Sequence, residues 1–305
     1  MLIVRGLELY PSEGPPAAVA LGVFDGVHLG HRAILDAAVS RAGKTGTRPV
    51  ACTFDPHPRE VLHPGRAPSP ITTLDGRLAL IGQTGIETAV VLRFTQELAA
   101  MEPEAFVVDV LLARLRAREV VVGVNHRFGK GARGDAALLQ ALGRELGFSA
   151  HIVEPLSIGG VMVSSTAVRG ALERGDVIGA SQLLGRPYAV AGEVVQGAGR
   201  GRSIGFPTAN LKLEGALLVP TGVYACRASI GGVSHPAVTN VGVRPTFGEN
   251  SLAVEVHVLD FVADLYGRRM TLEFRAHLRD ERRFESVEAL KDQIARDVAS
   301  ARRCL

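Results

Sequence analysis

The stretch GVFDGVHLGHRAIL, residues 22–35, joins a strand, a turn and a helix. An apolar run, AAVALGVF, stops at Asp25, and a helical pattern starts beside two histidines, His28 and His31. The run predicts a buried strand, the Asp-Gly pair a turn, and the pattern a helix with both histidines at its start. A helix N-terminus has unpaired N–H groups and the positive end of the dipole, so the stretch favours phosphate.

The two histidines suit that environment. Imidazoles donate hydrogen bonds to the charge that develops on a phosphate during in-line displacement, which needs no covalent nucleophile. Gly30, between them, permits close approach of the backbone. The alternative is a pair of partly exposed surface histidines. The strand and turn before them and the helix after them favour the functional interpretation.

The bulk composition is that of a globular protein. The chain has 305 residues, which indicates about two domains. It is 47% hydrophobic and 21% charged, and its net charge of +3 is too balanced for a nucleic-acid binder. Cys52, Cys226 and Cys304 share no metal-ligand spacing and indicate a reducing compartment.

The N-terminal segment MLIVRGLELYPSEG has only a short apolar start, interrupted by Arg5. No apolar run elsewhere is long enough to span a bilayer. We therefore expect no signal peptide, no membrane anchor, no membrane or nucleic-acid partner, and a cytoplasmic location. A weak homo-oligomer is left open.

The first part of the chain alternates between strand-like and helix-like segments, which predicts an α/β fold with a parallel sheet and helices on both faces. The strands are almost continuously apolar, as expected when both faces are covered. They are predicted at Val19–Phe24, Pro49–Phe54, Thr88–Phe94, Glu119–Val124 and His151–Glu154, and the helices at Arg32–Ala42, Gly76–Gln83, Pro103–Leu115 and Ala136–Leu146.

The second part of the chain has a different residue pattern. A short helix, DVIGASQLLG, ends at Gly185-Arg186-Pro187, which predicts a boundary between domains 1–186 and 187–305. Short strands punctuated by Gly and Pro follow, which predicts an antiparallel barrel or sandwich. These strands are YAVAGEVV, GVYACRASI, HPAVTNVGV, LAVEVHVLDF and RMTLEFRAHL. A final helix is predicted at Ser286–Ala301, with apolar positions at helical spacing.

Four polar or Gly-rich segments follow predicted strands of the first domain. They are FDGVHLGH, TFDPHP (53–58), GVNHRFGKGARGD (123–135) and SSTAVRG (164–170), the last after a strand expected at Val161–Val163. Ligands bind beyond the carboxyl ends of parallel strands, so we expect the four segments to converge at one sheet edge.

Two of these segments are only weak indications by themselves. Arg127, Lys130 and Arg133 make a basic loop that suits polyphosphate, although a solvated surface loop has the same composition. The hydroxyls of residues 164–166, with Arg169, fit a helix start with an added cation. Simple N-capping would account for only one hydroxyl.

The second domain carries its own candidate site. QGAGRGRSIGFPTANL, residues 196–211, suggests a loop whose backbone wraps phosphates, and its alternative is a Gly-rich hairpin. Thr208 and Asn210 point the same way on an extended segment and offer neutral oxygens to Mg²⁺. In LAVEVHVLDF, Glu255 alternates with valines and is the best candidate for the base or positioning group of an alcohol kinase. A solvated surface carboxylate is its alternative.

At this point a resemblance becomes clear. GVFDGVHLGHRAIL with SSTAVRG resembles the nucleotidyltransferase superfamily that carries an HxGH signature. The addition of TFDPHP makes it similar to the adenylyltransferase half of bacterial bifunctional riboflavin kinase/FAD synthetases. The ordered set GRGRSIGFPTANL, PTGVYA, NVGVRPTFG, VEVHVLDF, DLYG and LRDERRFES resembles the riboflavin kinase module over essentially all of 187–300.

The resemblance implies a Rossmann-like nucleotidyltransferase domain followed by a small closed antiparallel β-barrel with a C-terminal helix. It implies that the barrel phosphorylates riboflavin with ATP and that the first domain transfers AMP to FMN, giving FAD and pyrophosphate. Flavins are then substrate and product, with Mg²⁺ required for both steps. Many family members have Phe where this chain has His126, a departure that concerns the loop and not the class.

The resemblance also implies roles for single residues. His28 and His31 stabilise the transferring phosphate and the departing pyrophosphate, and Glu255 is the base on the ribityl hydroxyl. ATP is expected at Gly22, Phe24, Asp25, Gly30, Asn125, Arg127, Ser164, Thr166 and Arg169 of the first domain, and at Gly199, Gly201, Thr208 and Asn210 of the second. The flavin is expected near Phe54, Pro56 and Pro58, and near Arg279 in the second domain.

Three alternatives remain open at this point. One of the two modules could be inactive, although His28, His31 and Arg169 are intact. The chain could be a flavin or nucleotide sensor, which would bind flavin without turning over ATP. Cytidylyl- and pantetheine-phosphate adenylyltransferases share HxGH, but they lack the barrel module.

Overall fold

The computed structural model describes residues 1–11, 13–197, 201, 204–246 and 249–305, and for 244–246 and 249–251 it describes the backbone alone. Gly199, an expected ATP contact, lies outside the described residues. Packing divides the chain into two units, Met1–Ser165 and Thr166–Leu305.

A six-stranded parallel sheet organises the first unit, with the strand order β1-β4-β3-β2-β5-β6. The strands are β1 (Leu2–Arg5), β2 (Ala17–Leu21), β3 (Arg48–Asp55), β4 (Thr88–Arg93), β5 (Ala117–Gly123) and β6 (Ser149–Val153). Every residue of β2 is buried, because helices cover both faces of this central strand. The predicted parallel α/β sheet is confirmed, and of its six strands only the edge strand β1 was not predicted.

The helices of this unit follow the predicted alternation. They are α1 (Leu29–Thr45), α2 (Pro58–Leu62), α3 (Leu74–Gly82), α4 (Gln96–Ala99), α5 (Pro103–Ala105, continuing as a π-helix over Phe106–Arg114) and α6 (Ala136–Leu146). Small side chains on one face of the sheet, Ala20 and Ala51, pack with Leu35 of α1 in one hydrophobic cluster. Val19 and Leu21 face the opposite side, in the larger cluster that contains Phe106 of α5.

One expectation about this unit is wrong. The segment expected as a strand at Val161–Val163 does not join the parallel sheet. Instead β8 (Val161–Met162) pairs with β7 (Ser157–Ile158) in a separate antiparallel hairpin. Gly159 and Gly160 adopt positive φ angles, so the chain turns back on itself directly after β7. SSTAVRG therefore follows a hairpin and not a strand of the sheet.

The second unit contains a closed antiparallel barrel with the strand order β10-β13-β12-β11-β14-β9. The strands are β9 (Tyr188–Val195), β10 (Ala209–Leu213), β11 (Gly222–Ile230), β12 (Val233–Thr246), β13 (Glu249–Val258) and β14 (Arg269–Arg279). Helices α7 (Ser165–Glu173) and α8 (Val177–Leu184) precede the barrel, and α9 (Val287–Cys304) follows it. The predicted closed barrel with a C-terminal helix is confirmed. Strand β10 was not predicted.

The two faces of the barrel wall differ as the alternation in β13 predicts. Val254, Val256 and Val258 are buried, whereas Glu255 and His257 are partly exposed. Helix α9 packs against the outer face in a cluster that contains Val223, Val238 and Ala301. Glu255 therefore lies on the outer face of the barrel, near the C-terminal helix.

Helix α8 packs on β9 and β14, so the structural division falls before α7 and α8 rather than after them. The boundary at 186 remains a prediction about the functional domains. Among the described residues, we find no helix that is both long and apolar enough to cross a membrane.

Candidate active sites

A cavity of about 280 Å³ lies at the carboxyl edge of the sheet, between β2 and β5. We call it the histidine cavity. Connections leave these two neighbouring strands in opposite directions, which is where open α/β sheets bind ligands. Seven of the predicted ATP-site and catalytic residues come together in its lining: Gly22, Phe24, His28, Gly30, His31, Asn125 and Ser164.

His28 is the N-cap of helix α1. Its Nδ1 accepts a hydrogen bond from the backbone N–H of His31 at 3.2 Å. A ring nitrogen that accepts carries no proton, so the neutral imidazole has its proton on Nε2. The local fold thereby sets the tautomer, and it leaves Nε2–H as the donor that His28 can offer.

The two imidazole rings hold one another in place. They stack with centroids 3.6 Å apart, and Phe24 contacts His31 edge-on at 5.4 Å. A Cβ on Gly30 would lie 3.3 Å from the His28 ring, so glycine leaves room for the imidazole beside the backbone. Rings locked by packing lose little freedom when a ligand binds.

Asp25, predicted to contact ATP, is not among the residues lining this cavity. Its buried carboxylate accepts hydrogen bonds from the backbone N–H groups of Ile71, at 3.0 and 3.1 Å, and Thr72, at 3.3 Å. Its carbonyl oxygen accepts from the Ser165 hydroxyl at 3.1 Å. In the structure Asp25 ties the turn before α1 to two other segments, and its contact with ATP remains a prediction.

A second cavity of about 620 Å³, the phenylalanine cavity, adjoins the first. Its apolar part contains the ring pairs Phe54–Phe94 and Phe106–Phe128, with centroids 5.7 and 6.0 Å apart. Basic side chains, Arg59 and Arg127 among them, also line it. Of the predicted residues, Pro56 does not belong to the lining, whereas four others do: Phe54, Pro58, Asn125 and Arg127.

The two cavities share three lining residues: Val23, Asn125 and His126. The His126 ring stacks on Phe128 with centroids 5.9 Å apart. Its Nε2 is buried and has no hydrogen-bond partner in the part of the chain that is described. Burial, with a smaller effect of Arg127, lowers the pKa of His126 to about 4. The ring is therefore neutral near pH 7.

Most of the basic loop after β5 is engaged elsewhere. Lys130 lies 3.5 Å from the Glu102 carboxylate, and Arg133 contacts the other oxygen of the same carboxylate. Arg127 lines the phenylalanine cavity and donates to the His126 carbonyl at 3.1 Å. The loop thus presents one of its three cations to a cavity.

In the second unit, a cavity of about 310 Å³ lies between the barrel wall and helix α9. We call it the Glu255 cavity. A single row of paired residues crosses five strands here, because each member lies opposite the next in register: Asn210, Glu255, Asn240, Val223 and Arg279. Directly paired residues point to the same face of a sheet. Asn240 was not predicted as a site residue, because its place in the alternation of VTNVGV is its only local signal.

Two glycines allow the loop before β10 to approach its polar side chains. A Cβ on Gly197 would lie 1.8 Å from the Asn210 amide, and one on Gly201 would lie 3.1 Å from the Thr208 hydroxyl. Gly201 and Thr208, two described residues of the glycine-rich segment, line the same cavity as Glu255. Thr208 also lines a neighbouring cavity of about 630 Å³, the Val262 cavity, formed with residues 261–266.

Arg279, predicted to contact flavin or phosphate, is held by the C-terminal helix. Its Nε and Nη2 donate to the Asp297 carboxylate at 2.9–3.1 Å, and Gln293 donates to the same carboxylate at 2.7 Å. Arg279 and Arg282 both lie over the Phe284 ring, at 5.6 and 4.9 Å from its centroid. All of these residues except Gln293 line the Glu255 cavity.

Two predicted ATP contacts, Thr166 and Arg169, lie on helix α7 within the second unit. Their part in ATP binding remains a prediction.

Comparisons with known proteins agree with this division of sites. Residues 11–167 match the family model described as FAD synthetase, and residues 184–305 match the one described as riboflavin kinase. A bifunctional riboflavin kinase/FMN adenylyltransferase of Escherichia coli K12 is 40% identical, with 99% of this chain and 97% of the relative covered. The Pseudomonas fluorescens relative of the same name is 41% identical at the same coverage, and the Bacillus subtilis one is 36% identical over 96% and 94%.

The chain belongs to the family of bifunctional riboflavin kinase/FMN adenylyltransferases. The predicted family and function are confirmed, with the FAD synthetase domain N-terminal and the riboflavin kinase domain C-terminal. A solved structure from Streptococcus pneumoniae, titled a macrolide-efflux protein, has a TM-score of 0.91 at 29% identity and covers 99% of both chains. Its fold extends the agreement over both domains.

We expect Asp297→Ala to destabilise the riboflavin kinase domain by about 3 kcal/mol, because it leaves the Arg279 guanidinium without its partner in a partly buried site. Denaturant unfolding of the full chain measures this loss. The matched variants are Arg279→Met and the double variant, which we expect to lose less than the sum of the two single changes. Additive losses would contradict the coupling.

We expect His126 to make stability depend on pH. Its pKa falls from 6.5 in the unfolded chain to about 4 in the folded chain, so only the unfolded form binds a proton between those values. Stability therefore decreases as pH falls through this window, by about 2 kcal/mol from pH 7 to pH 5 for this group. Urea unfolding at pH 7 and at pH 5 measures this change. Between the two pH values, the free energy of unfolding of the His126→Phe variant should fall by about 2 kcal/mol less than that of the parent chain. An unchanged pH dependence would contradict the assignment.

Proposed function

We propose that the histidine cavity binds ATP, that the phenylalanine cavity binds FMN, and that adenylyl transfer takes place where the two meet. The shared lining by Val23, Asn125 and His126 is the observation that carries this proposal. Two substrates that react with each other must place the attacking oxygen in line with the departing group, which contiguous cavities permit. The larger cavity, with apolar walls and basic side chains, suits a flat flavin ring bearing a phosphate.

In the proposed reaction an FMN phosphate oxygen attacks the α-phosphorus of ATP. The bond from that phosphorus to the bridging oxygen breaks, and pyrophosphate leaves with the bonding electrons. His28 donates from Nε2–H to the phosphate oxygens, because its Nδ1 accepts from the His31 backbone. The N–H groups at the start of α1 add positive potential for the same charge. Phe54, Pro56 and Pro58 remain the proposed flavin contacts. The proposed ATP contacts of this domain remain Gly22, Phe24, Asp25, Gly30, Asn125, Arg127, Ser164, Thr166 and Arg169.

For the kinase reaction, we propose that riboflavin occupies the Glu255 cavity and that ATP occupies the Val262 cavity. Thr208 lines both, which supports transfer of the γ-phosphoryl group close to its hydroxyl. The ribityl hydroxyl attacks the γ-phosphorus, its proton passes to Glu255, and ADP leaves. Asn240 stands beside Glu255 in register and would orient the same hydroxyl.

Thr208 and Asn210 fit a Mg²⁺ ion that arrives with ATP. Both offer neutral oxygens, and Mg²⁺ takes few protein ligands where phosphates supply the rest. The glycines at 197 and 201 bring the loop backbone against these two side chains. When bound, the ion neutralises charge on the phosphates. A cytoplasmic location, the absence of nucleic-acid and membrane partners, and any weak homo-oligomer remain predictions from the sequence.

The two-site assignment predicts separable losses. Purified protein with riboflavin, ATP and Mg²⁺ should form FMN first and FAD afterwards, as followed by chromatography of the flavins. His28→Asn retains a good N-cap but lacks the imidazole, so FAD formation should fall by about 10²–10³-fold with FMN formation intact. Glu255→Gln should lower FMN formation by about 10²–10⁴-fold and spare FAD formation from supplied FMN.

Thermal melts are the control for both variants. A folded variant that loses both activities would refute the assignment of one reaction to each domain. A parent chain that binds riboflavin without forming any product would support a sensor instead.

Removal of the metal tests the Mg²⁺ proposal. Excess EDTA should stop both reactions, and added Mg²⁺ should restore them. Asn210→Ala should raise the Mg²⁺ concentration that gives half-maximal FMN formation, because it removes one ligand, while leaving the requirement of FAD formation unchanged. Equal shifts in both reactions would place Asn210 outside the kinase metal site.

A further inference from the structure

We propose that Arg77 is a positioning residue for adenylyl transfer, because its guanidinium fixes one backbone carbonyl from each substrate cavity. The inference rests on the proposed assignment of ATP and FMN to these cavities. Arg77 lies on helix α3, outside every motif singled out in the sequence, and it lines neither cavity.

The Arg77 guanidinium joins two loops by one hydrogen bond to each. Nη1 of Arg77 donates to the Val23 carbonyl at 2.8 Å, and Nη2 donates to the Phe54 carbonyl at 3.0 Å. Val23 lines both cavities, just before the turn that leads to His28, and Phe54 lines the phenylalanine cavity. One planar group with donors in a rigid fork thus sets the spacing between the loops after β2 and β3.

A second donor reinforces the same carbonyl. The hydroxyl of Thr53, itself fully buried, donates to the Val23 oxygen at 2.9 Å. A carbonyl oxygen has two lone pairs, and at Val23 both are engaged. The peptide at the entrance to the histidine turn is therefore held from two sides, by α3 and by β3.

The turn that follows needs such support. Phe24 and Val27 adopt φ angles of 55° and 40°, a region that side chains with a Cβ rarely occupy. Strained backbone of this kind persists only where its surroundings hold it, and such strain clusters at functional sites. Asp25 holds the turn from the 71–72 segment, directly before α3, so the same region of the chain restrains it on both sides.

Burying the charged side chain of Arg77 costs free energy that a buried apolar side chain would not cost. Only 6% of it is exposed, and burial lowers the pKa of its guanidinium, an effect that the carboxylates of Asp25 and Asp55 oppose. An apolar side chain of similar length would fill the same volume without the desolvation of a charge. We infer that the two directed hydrogen bonds to carbonyls are the property that the site requires.

The test compares three variants of the full chain: Arg77→Met, Arg77→Lys and the matched control Leu78→Ala. Leu78 is the next residue of α3, is buried in a cluster with Ala89 and Val91, and has no side-chain donor for either loop carbonyl. FAD formation is measured over a range of FMN and ATP concentrations, well below the melting temperature of each variant. FMN formation by the kinase domain of the same chain is the internal reference.

We expect Arg77→Met to lower kcat/KM for FAD formation by about 10²-fold, since a displacement of about 1 Å costs that much. KM should rise for both FMN and ATP. Arg77→Lys keeps the positive charge, but its single ammonium cannot hold both carbonyls in the fork geometry, so it should recover only part of this loss and KM should stay raised. Leu78→Ala should lower the melting temperature and leave the KM values for FMN and ATP unchanged. The rate of FMN formation by the kinase domain should be unchanged in all three variants.

Equal kinetics for Arg77→Met and Leu78→Ala would overturn the proposal and leave Arg77 a purely structural residue. If Arg77→Met does not fold, Thr53→Val decides, because it removes one donor from the Val23 carbonyl without removing a charge. An unchanged KM for both substrates in that variant and in Arg77→Lys would equally overturn it. A parent chain that forms no FAD would instead refute the proposed function.

Discussion

The strained turn from Phe24 to Val27 is the constraint on which the transferase site depends. Left-handed backbone at the two non-glycine residues costs of order 1–3 kcal/mol each, and Gly26 between them also has a positive φ of 79°. The turn lies in the short connection, residues 22–28, that carries the chain from the end of β2 into α1. A relaxed, longer connection would place the helix N-terminus elsewhere, so the strain and its restraints determine where the histidines stand.

The cap of α1 then links secondary structure to chemistry. One nitrogen of His28 caps the helix, and this leaves the opposite nitrogen as the one that can donate a hydrogen bond. The barrel reaches an equivalent result by another route, because four of its candidate residues come from four different strands and meet in one row of the ladder. In the first domain a short stretch suffices to build half the site. In the second, the site exists only once the barrel has closed.

This difference explains what could be predicted from the sequence. The central strands, α6 and the outward alternation of Glu255 follow from periodicity, and the histidine pair follows from its strand–turn–helix setting. Strand β1 was missed because it is short and pairs with only one neighbour. Asn240 and the inward role of Asp25 were missed because each depends on a partner distant in sequence. Local spacing carries no information on register across strands.

His126 stands where the family resemblance leads us to expect Phe, and its surroundings suit either ring. The position lies between two cavities and against the Phe128 ring, where a flat side chain is required. Imidazole is flat, and burial keeps it uncharged near pH 7, so it packs there much as a Phe ring would. Histidine differs from phenylalanine here at acidic pH, where protonation of the imidazole favours the unfolded chain. The substitution therefore alters the range of pH over which the site is stable more than the way in which it is built.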